Sequence, residues 1–237
     1  MQINTKGLVL REVKTGESDR ILTILTPDHG VVSAAAKGGL RPKSKLFSAT
    51  GLFCYSDWTL FETKTLYRVN EASPIEVFFG LRQSVEGLAL AVYMAELVQV
   101  LSPTGEEAAK LLRLLLNGFH FLAEEKRPAL LVKAVFELRS LSRAGFMPDL
   151  LACSVCGKYE DTTVRFDTRQ GSLMCGHCAE QRGLEPNLDL AALSALRHLM
   201  LAGADKAYSF PLKNNILLLL SHPADGFVPP NLDYPPT

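Results

Sequence analysis

Cys153-Ser-Val-Cys156, then eighteen residues, then Cys175-Gly-His-Cys178 is the stretch that decides how the second half of the chain is read. It holds four of the five cysteines. Zinc favours four thiolates at the corners of a tetrahedron, about 2.3 Å from each sulfur. A Cys-x-x-Cys turn delivers two corners, a hairpin brings in the other two, and a gap of this length falls in the range of zinc sites. A disulfide framework would need an oxidising compartment, and the start, Met1-Gln-Ile-Asn-Thr-Lys, lacks the apolar core of a secretion signal. A thioredoxin-like motif has one such pair beside a βαβ pattern. A deaminase-type site needs a His or Cys followed by Glu upstream of the second pair. Cys153, Cys156, Cys175 and Cys178 are therefore expected to ligate one structural Zn²⁺. With every corner taken, no position remains to activate a water. His177, between two ligands, is expected to point outward.

Outward from this stretch, composition sets bounds. The 237 residues are 47% hydrophobic, ample for packed cores. Net charge is zero, so any polyanionic partner must be read from local patches. The longest apolar run, Leu88 to Ala95, is too short to span a bilayer. Reduced cysteines, a thiolate metal site and no targeting segment lead to an expectation of a cytoplasmic protein with no membrane contact.

The first eighty residues have strand character. Strands are expected at Gly7 to Val13, Arg20 to Thr26, Val31 to Lys37, about Thr50 to Glu62, and Leu66 to Ala72. Pro27-Asp28-His29-Gly30 is a turn in which Pro presets φ and Gly takes φ > 0. Five short strands separated by turns suggest a small barrel or sandwich, and the count fits an OB-fold. After Pro74 the period becomes helical. Val85 to Leu101 is apolar at Leu88, Val92, Ala95 and Val98, and Ser102-Pro103 stops it. Thr104-Gly-Glu-Glu107 reads as a capping box opening a helix to about Ala123. Pro128 starts another, carrying Leu131, Val135, Leu138 and Leu141 and closing at Gly145. Asn187 is expected to cap Leu188 to Leu201. Asn214-Asn215 precedes a last short helix, and a proline-rich tail follows. The expected class is α+β multidomain: an OB-fold barrel over 1–80, a helical domain over 81–150 and 184–237 with the tail, and an inserted four-cysteine zinc module over 151–183.

The sharpest charge feature is the loop from Lys37 to Lys45, with Lys37, Arg41, Lys43 and Lys45. No acid interrupts the interval from Asp28 to Asp57. Gly38 and Gly39 would let backbone N–H groups approach an anion. A cationic loop on a barrel with aromatics nearby is how single strands are held, and a solvated surface loop is the equal alternative. Lys14, Arg20 and Arg68 extend the patch more weakly. Phe53 and Tyr55 share a strand face with Phe61, Trp58 lies on the other face, and most of these rings, with Tyr67, are expected in the core. Cys54 reads as a small core residue. No catalytic constellation emerges: the five histidines are scattered, and there is no nucleophile elbow or Walker A loop.

Several segments together resemble the RecO family of bacterial DNA repair and recombination mediators. They are Gly7-Leu-Val-Leu-Arg, Glu17-Ser-Asp-Arg20-Ile-Leu, Ala36-Lys-Gly-Gly-Leu-Arg41, Phe136-Glu-Leu-Arg139 and Ala144-Gly145-Phe146-Met-Pro148, with the cysteine quartet after them. Each is modest alone, and their order and spacing make the match specific. The resemblance implies an OB-fold that binds single- and double-stranded DNA, a helical domain and a zinc module. It implies annealing of complementary strands, including strands coated by single-stranded DNA-binding protein, and RecA loading with RecR. The family's basic OB-fold residues fall on Lys37 and Arg41. The acidic, Phe-ended tail of the coating protein is expected on the helical domain, where Lys133, Arg139 and Arg143 beside Leu138, Leu141 and Phe146 offer a cation-rimmed groove; an ordinary amphipathic helix is the alternative. Other functional readings are a zinc-stapled scaffold for protein partners and an RNA-binding OB protein.

Overall fold

The computed structural model describes residues 1–101, 104–201 and Tyr208. The expected stop at Ser102-Pro103, the helix after Asn214-Asn215 and the proline-rich tail lie outside the described residues. Two compact units divide the chain, the first Met1–Lys126 and the second beginning at Arg127.

In the first unit, β1 (Gln2–Thr15), β2 (Asp19–Thr26), β3 (Gly30–Ala36), β4 (Tyr55–Glu62) and β5 (Tyr67–Glu76) close into a barrel of order β1-β2-β3-β5-β4. All neighbours are antiparallel except β3 and β5. This is the five-stranded OB-fold. Closure leaves no strand edge open. The barrel interior is filled by Ile3, Val9, Leu22, Ile24, Ala34, Trp58, Leu60 and Val69 among others. Trp58 donates its indole N–H to the Gly7 carbonyl at 3.0 Å. Gly7 is obligatory there, since a Cβ would stand 2.6 Å from the Ile24 Cγ2.

The fourth strand starts later than the sequence suggests. Leu46–Ala49 is a short helix, α1, and the chain then bends through Gly51 to Cys54 before β4 begins. Phe53 therefore does not share a strand face with Tyr55 and Phe61. It sits at φ 62°, a conformation costly for a bulky side chain. Burial against Phe119, ring centroids 4.9 Å apart, offsets that cost. At the other end, β5 continues through Pro74 to Glu76 and the helical pattern begins only with a 3-10 turn, Phe79–Arg82.

Helices α2 (Val85–Leu101) and α3 (Gly105–Ala123) complete this unit. Ala95 and Val98 are buried as expected, but Val92 is 37% exposed, and the inward face runs through Leu90, Ala91, Met94 and Leu97. The all-round apolar sequence leaves periodicity little to choose between faces. Thr104 occupies the N-cap position of α3 without a capping hydrogen bond from its side chain, and Glu107 accepts from Lys110 at 2.9 Å, so the capping box does not form as expected.

The second unit contains α4 (Ala129–Arg143), β6 (Asp149–Cys153), β7 (Thr163–Asp167), β8 (Ser172–Cys175), α5 (Gly176–Glu180), β9 (Leu188–Asp189) and α6 (Leu190–Leu201). Leu131, Val135, Leu138 and Leu141 are all buried. The four strands form one sheet of order β6-β8-β7-β9. Asn187 does not cap the last helix. Its side chain accepts from the Phe166 N–H at 2.8 Å and donates to the Phe166 carbonyl at 2.9 Å, which ties it to β7. The cap is Asp189, whose carboxylate accepts from the Ala192 N–H at 2.7 Å.

Candidate functional site

Two sites emerge, one in each unit. The first is the end of the barrel that carries the Lys37–Lys45 loop. Cross-strand register aligns Lys14 with Arg20 and Arg20 with Ala36, so the β1–β2 hairpin and this loop share one end. The loop is shaped by its own backbone. Gly38 donates its N–H to the Asp19 carboxylate at 2.7 Å, Gly39 to the Ala36 carbonyl at 3.2 Å, and Leu40 to the Ser18 carbonyl at 2.8 Å. Both glycine N–H groups are thus already bonded within the protein, which corrects the expectation that they are open to an external anion. Gly38 itself is required by its φ of +67°.

The side chains divide sharply. Lys14, Lys37, Arg41, Lys43 and Lys45 are exposed and enter no ion pair among the described residues. Arg20 is different: only 6% exposed, it donates to Glu12 at 2.6 Å and to the Thr50 carbonyl at 3.1 Å. Its guanidinium also lies 5.4 Å from the ring centroid of Phe47. Arg20 is consequently not available as a direct contact. It plugs the barrel end and pins the turn after α1. Glu12, Asp19 and Phe47 escaped the sequence reading; a carboxylate spaced eight residues from Arg20 across a hairpin was the signal for the first. Trp58 and Phe53 are core, Cys54 is fully buried with its thiol pushed up by burial, and Tyr55, Phe61 and Tyr67 are half-buried.

A cleft of 740 Å³ also lies within this unit, between β1, β4 and β5 and the apolar side of α3, lined by Lys6, Asp28, Asp57, Glu71, Leu112 and Arg113 among others. Asp28 belongs to the turn before β3 and the cationic loop follows β3, so the two features sit at opposite ends of that strand. Its three carboxylates outnumber its two cations, Lys6 and Arg113.

The second site is the cysteine quartet. The sulfurs of Cys153, Cys156, Cys175 and Cys178 all lie within 4.8 Å of one another. Cys153 ends β6, Cys175 ends β8 and Cys178 lies in α5. A tight turn and a longer-range bond aim them: Gly157 donates to the Cys153 carbonyl at 2.9 Å, and the Asp161 carboxylate accepts from the Gly176 N–H, fifteen residues on, at 3.2 Å. Cys156 and Cys175 are 3.7 Å apart, against about 3.8 Å for the edge of a tetrahedron with 2.3 Å metal–sulfur bonds. Burial would raise the Cys153 thiol, but N–H donors from Cys175, Cys156 and Val155 outweigh it and bring it to about 6. The Cys175 side chain and burial push Cys178 up to about 12. Four sulfurs this close cannot all be thiolates unless a cation sits among them, and the donor set fits a metal ion. His177 is exposed and pairs with Gln181 at 3.0 Å, outside the quartet. Arg197 clamps the module to α6, donating to the carbonyls of Leu150, Leu151 and Tyr159 at 2.7–3.1 Å.

The candidate partner groove on α4 is not assembled as expected. Arg139 is buried and donates to the Leu199 carbonyl at 2.7 Å, so it cannot rim a surface groove. Lys133 faces Glu137 at 3.7 Å, Arg143 is half-buried, and Phe146 is 36% exposed. Among the described residues no helix is long and apolar enough to cross a membrane.

Comparison with known proteins places the chain in a family. The family description Recombination protein O N terminal matches residues 1–78, and Recombination protein O C terminal matches 82–232. The chain is 34% identical over 215 residues to a protein of Acetivibrio thermocellus named DNA repair protein RecO, covering 91% of this chain and 86% of the relative. Proteins of the same name from Heliobacterium modesticaldum and Symbiobacterium thermophilum are 39% and 30% identical, over 82% and 95% of this chain and 72% and 90% of the relatives. With its five-stranded barrel, helical region and four-cysteine cluster, the chain belongs to the RecO family.

Proposed function

We propose that this protein is a non-catalytic, DNA-binding recombination mediator of the cytoplasm and nucleoid. In this reading it anneals complementary single strands and, with RecR, assists RecA loading on DNA coated by single-stranded DNA-binding protein. The single observation that carries the reading is the set of exposed cations, Lys14, Lys37, Arg41, Lys43 and Lys45, on one end of the barrel, which enter no ion pair among the described residues. Annealing brings two polyanions together. Fixed cations offset their repulsion, and release of condensed counterions drives the association with single or double strands. Arg20 serves by position, holding Glu12 and the Thr50 carbonyl so that the loop keeps its shape.

The division of labour assigns DNA to residues 1–80, and partner contacts to the helical segments 81–150 and 184–237. The metal bound by the module 151–183 is Zn²⁺ in a structural role, held by the four cysteines. For the coating protein's acidic tail, Lys133, Arg143 and Phe146 remain candidates on the second unit, without Arg139.

The test is a titration of a fluorescent single strand across salt. The slope of log K against log salt is expected near −0.7 per phosphate contact, about −3 for four. Replacing Lys37 and Arg41 by Ala together is expected to weaken binding and flatten the slope by about 1.4. Unchanged affinity and slope would remove the loop from the site. The acidic cleft favours a second reading, a zinc-stapled scaffold for a cationic protein partner. Partner capture without any salt-sensitive DNA binding would select it.

A further inference from the structure

The outer surface of the barrel carries a row that the cationic loop does not account for. Register places Val13 opposite Ile21, Ile21 opposite Ala35, Ala35 opposite Arg68, and Arg68 opposite Phe61. One residue from each of the five strands thus lies in a single line across the barrel. All five point away from the core: Val13 is 45% and Ile21 38% exposed, Ala35 and Phe61 are half-buried, and Arg68 is exposed. With strands about 4.8 Å apart, the line extends for roughly 19 Å. It is apolar at one end and closes on a guanidinium over an aromatic ring, with Arg68 5.7 Å from the Phe61 centroid.

Cations flank the row on both sides. Arg11 precedes Val13 by two residues on β1 and is therefore displaced by about 6.6 Å along that strand on the same outward side. Lys37 is exposed at the start of the turn that follows β3. Neither they nor Arg68 enter an ion pair among the described residues. Of the acids beside the row in register, Glu12 pairs with Arg20, Asp19 is engaged by the Gly38 N–H, and Glu62 lies 3.9 Å from the N-terminal ammonium. An exposed apolar line bordered by free cations is complementary to one class of ligand, a strand whose bases are unpaired and whose phosphates run alongside. Duplex DNA hides the base faces such a row would meet.

We propose that Val13, Ile21, Ala35, Arg68 and Phe61 form the base-contacting track for an unpaired strand, with Phe61 and Arg68 as its stacking platform and Lys37 and Arg11 holding phosphates at its sides. The proposal rests on the DNA-binding reading above and names the part of the strand that the row recognises. It separates two contributions: the loop reads phosphate, and the row reads bases.

The experiment compares a fluorescent thymidine 20-mer with an abasic deoxyribose-phosphate strand of equal length, using the full chain. Wild type is expected to prefer the thymidine strand by about tenfold or more, the scale of one or two stacked bases. Phe61→Ala is expected to remove most of that preference and leave the abasic affinity and its salt slope unchanged. Ile21→Ser, at a more exposed position, gives an independent reading with the same expected direction. Lys37→Ala is expected to weaken both strands equally. Equal wild-type binding of both strands would overturn the track while leaving the cationic loop in place. So would an equal loss on both strands in Phe61→Ala, with Ile21→Ser, its thermal melt unchanged, keeping the full wild-type preference. Failure of both strands to bind in dilute buffer would overturn the DNA-binding reading itself, and the track with it.

Discussion

At the residue scale, Lys14 and Arg20 show what a sequence can and cannot say about a charge. Both read as members of one basic patch, and they are cross-strand partners, yet one is exposed and the other plugs the barrel. Paired residues share a face of the sheet, so the difference is one of position along the strand: Lys14 adjoins the hairpin turn at the end of β1, while the Arg20 side chain reaches back to Glu12. The bulge between Val9 and Arg11 decides which face that is. Before it, Ile3 and Val9 point into the core. After it the parity is reversed, so Glu12 faces Arg20 inside and Val13 is turned to solvent. Alternation in the sequence carries no mark of that one-residue slip. Glu12→Ala would leave the Arg20 guanidinium, with a side chain 7% exposed, without its carboxylate. A buried charge stripped of its partner costs about 3 kcal/mol or more, so a marked fall in melting temperature is expected. Lys14→Ala is expected to change stability by no more than about 0.5 kcal/mol while lowering DNA affinity. Denaturant melts of the two variants check this; equal melts would mean that the Glu12–Arg20 pair does not brace the barrel end.

Element by element, legibility followed length and context. The five strands, the three long helices and the cysteine hairpin were readable because period and turn chemistry agreed along each. The start of β4 was not, because the cost of the left-handed backbone of Phe53 is offset by packing of its ring on Phe119, a residue 66 positions further along the chain. Asn187 and Asp189 are both good capping residues, and only the pairing of Asn187 with Phe166 decides between them. Gly7 was read as an ordinary strand residue, although its missing Cβ lets β1 lie against Ile24 and Leu25 while its carbonyl takes the Trp58 N–H. Gly7→Ala would drive a methyl to 2.6 Å from Ile24 Cγ2 and 3.0 Å from the Leu25 carbonyl. Overpacking of that kind costs about 1–3 kcal/mol. The expected result is a lower denaturation midpoint with an altered Trp58 fluorescence environment. An unchanged midpoint would show that β1 can back away from β2 at no cost.

On the scale of the whole molecule, a net charge of zero conceals a local unevenness: the loop after β3 carries four cations and no acid, while the cleft near the start of β3 gathers three carboxylates with two cations. Sums over a sequence cannot report this, because position along a closed barrel is set by register. The metal site is legible for the opposite reason, since ligand spacing is local and the sulfurs meet wherever the hairpin closes. It also makes a sharp prediction about all five cysteines. Cys54 is buried, its thiol raised by that burial and therefore slow to react. A thiol reagent should find little reactivity in the metal-loaded native protein, four cysteines after chelation, and the fifth only in denaturant. Metal analysis should give one zinc per chain. In zinc-finger peptides the metal contributes on the order of 10–16 kcal/mol at neutral pH, so removing it should unfold the segment between α4 and α6. The cationic loop belongs to the other compact unit, and single-strand binding by the chelated protein should persist. A metal-free protein with an unchanged melt and protected cysteines would mean that the sheet of the second unit folds without its ion. Loss of DNA binding in step with the metal would instead mean that the quartet supports the strand-binding surface as well as its own module.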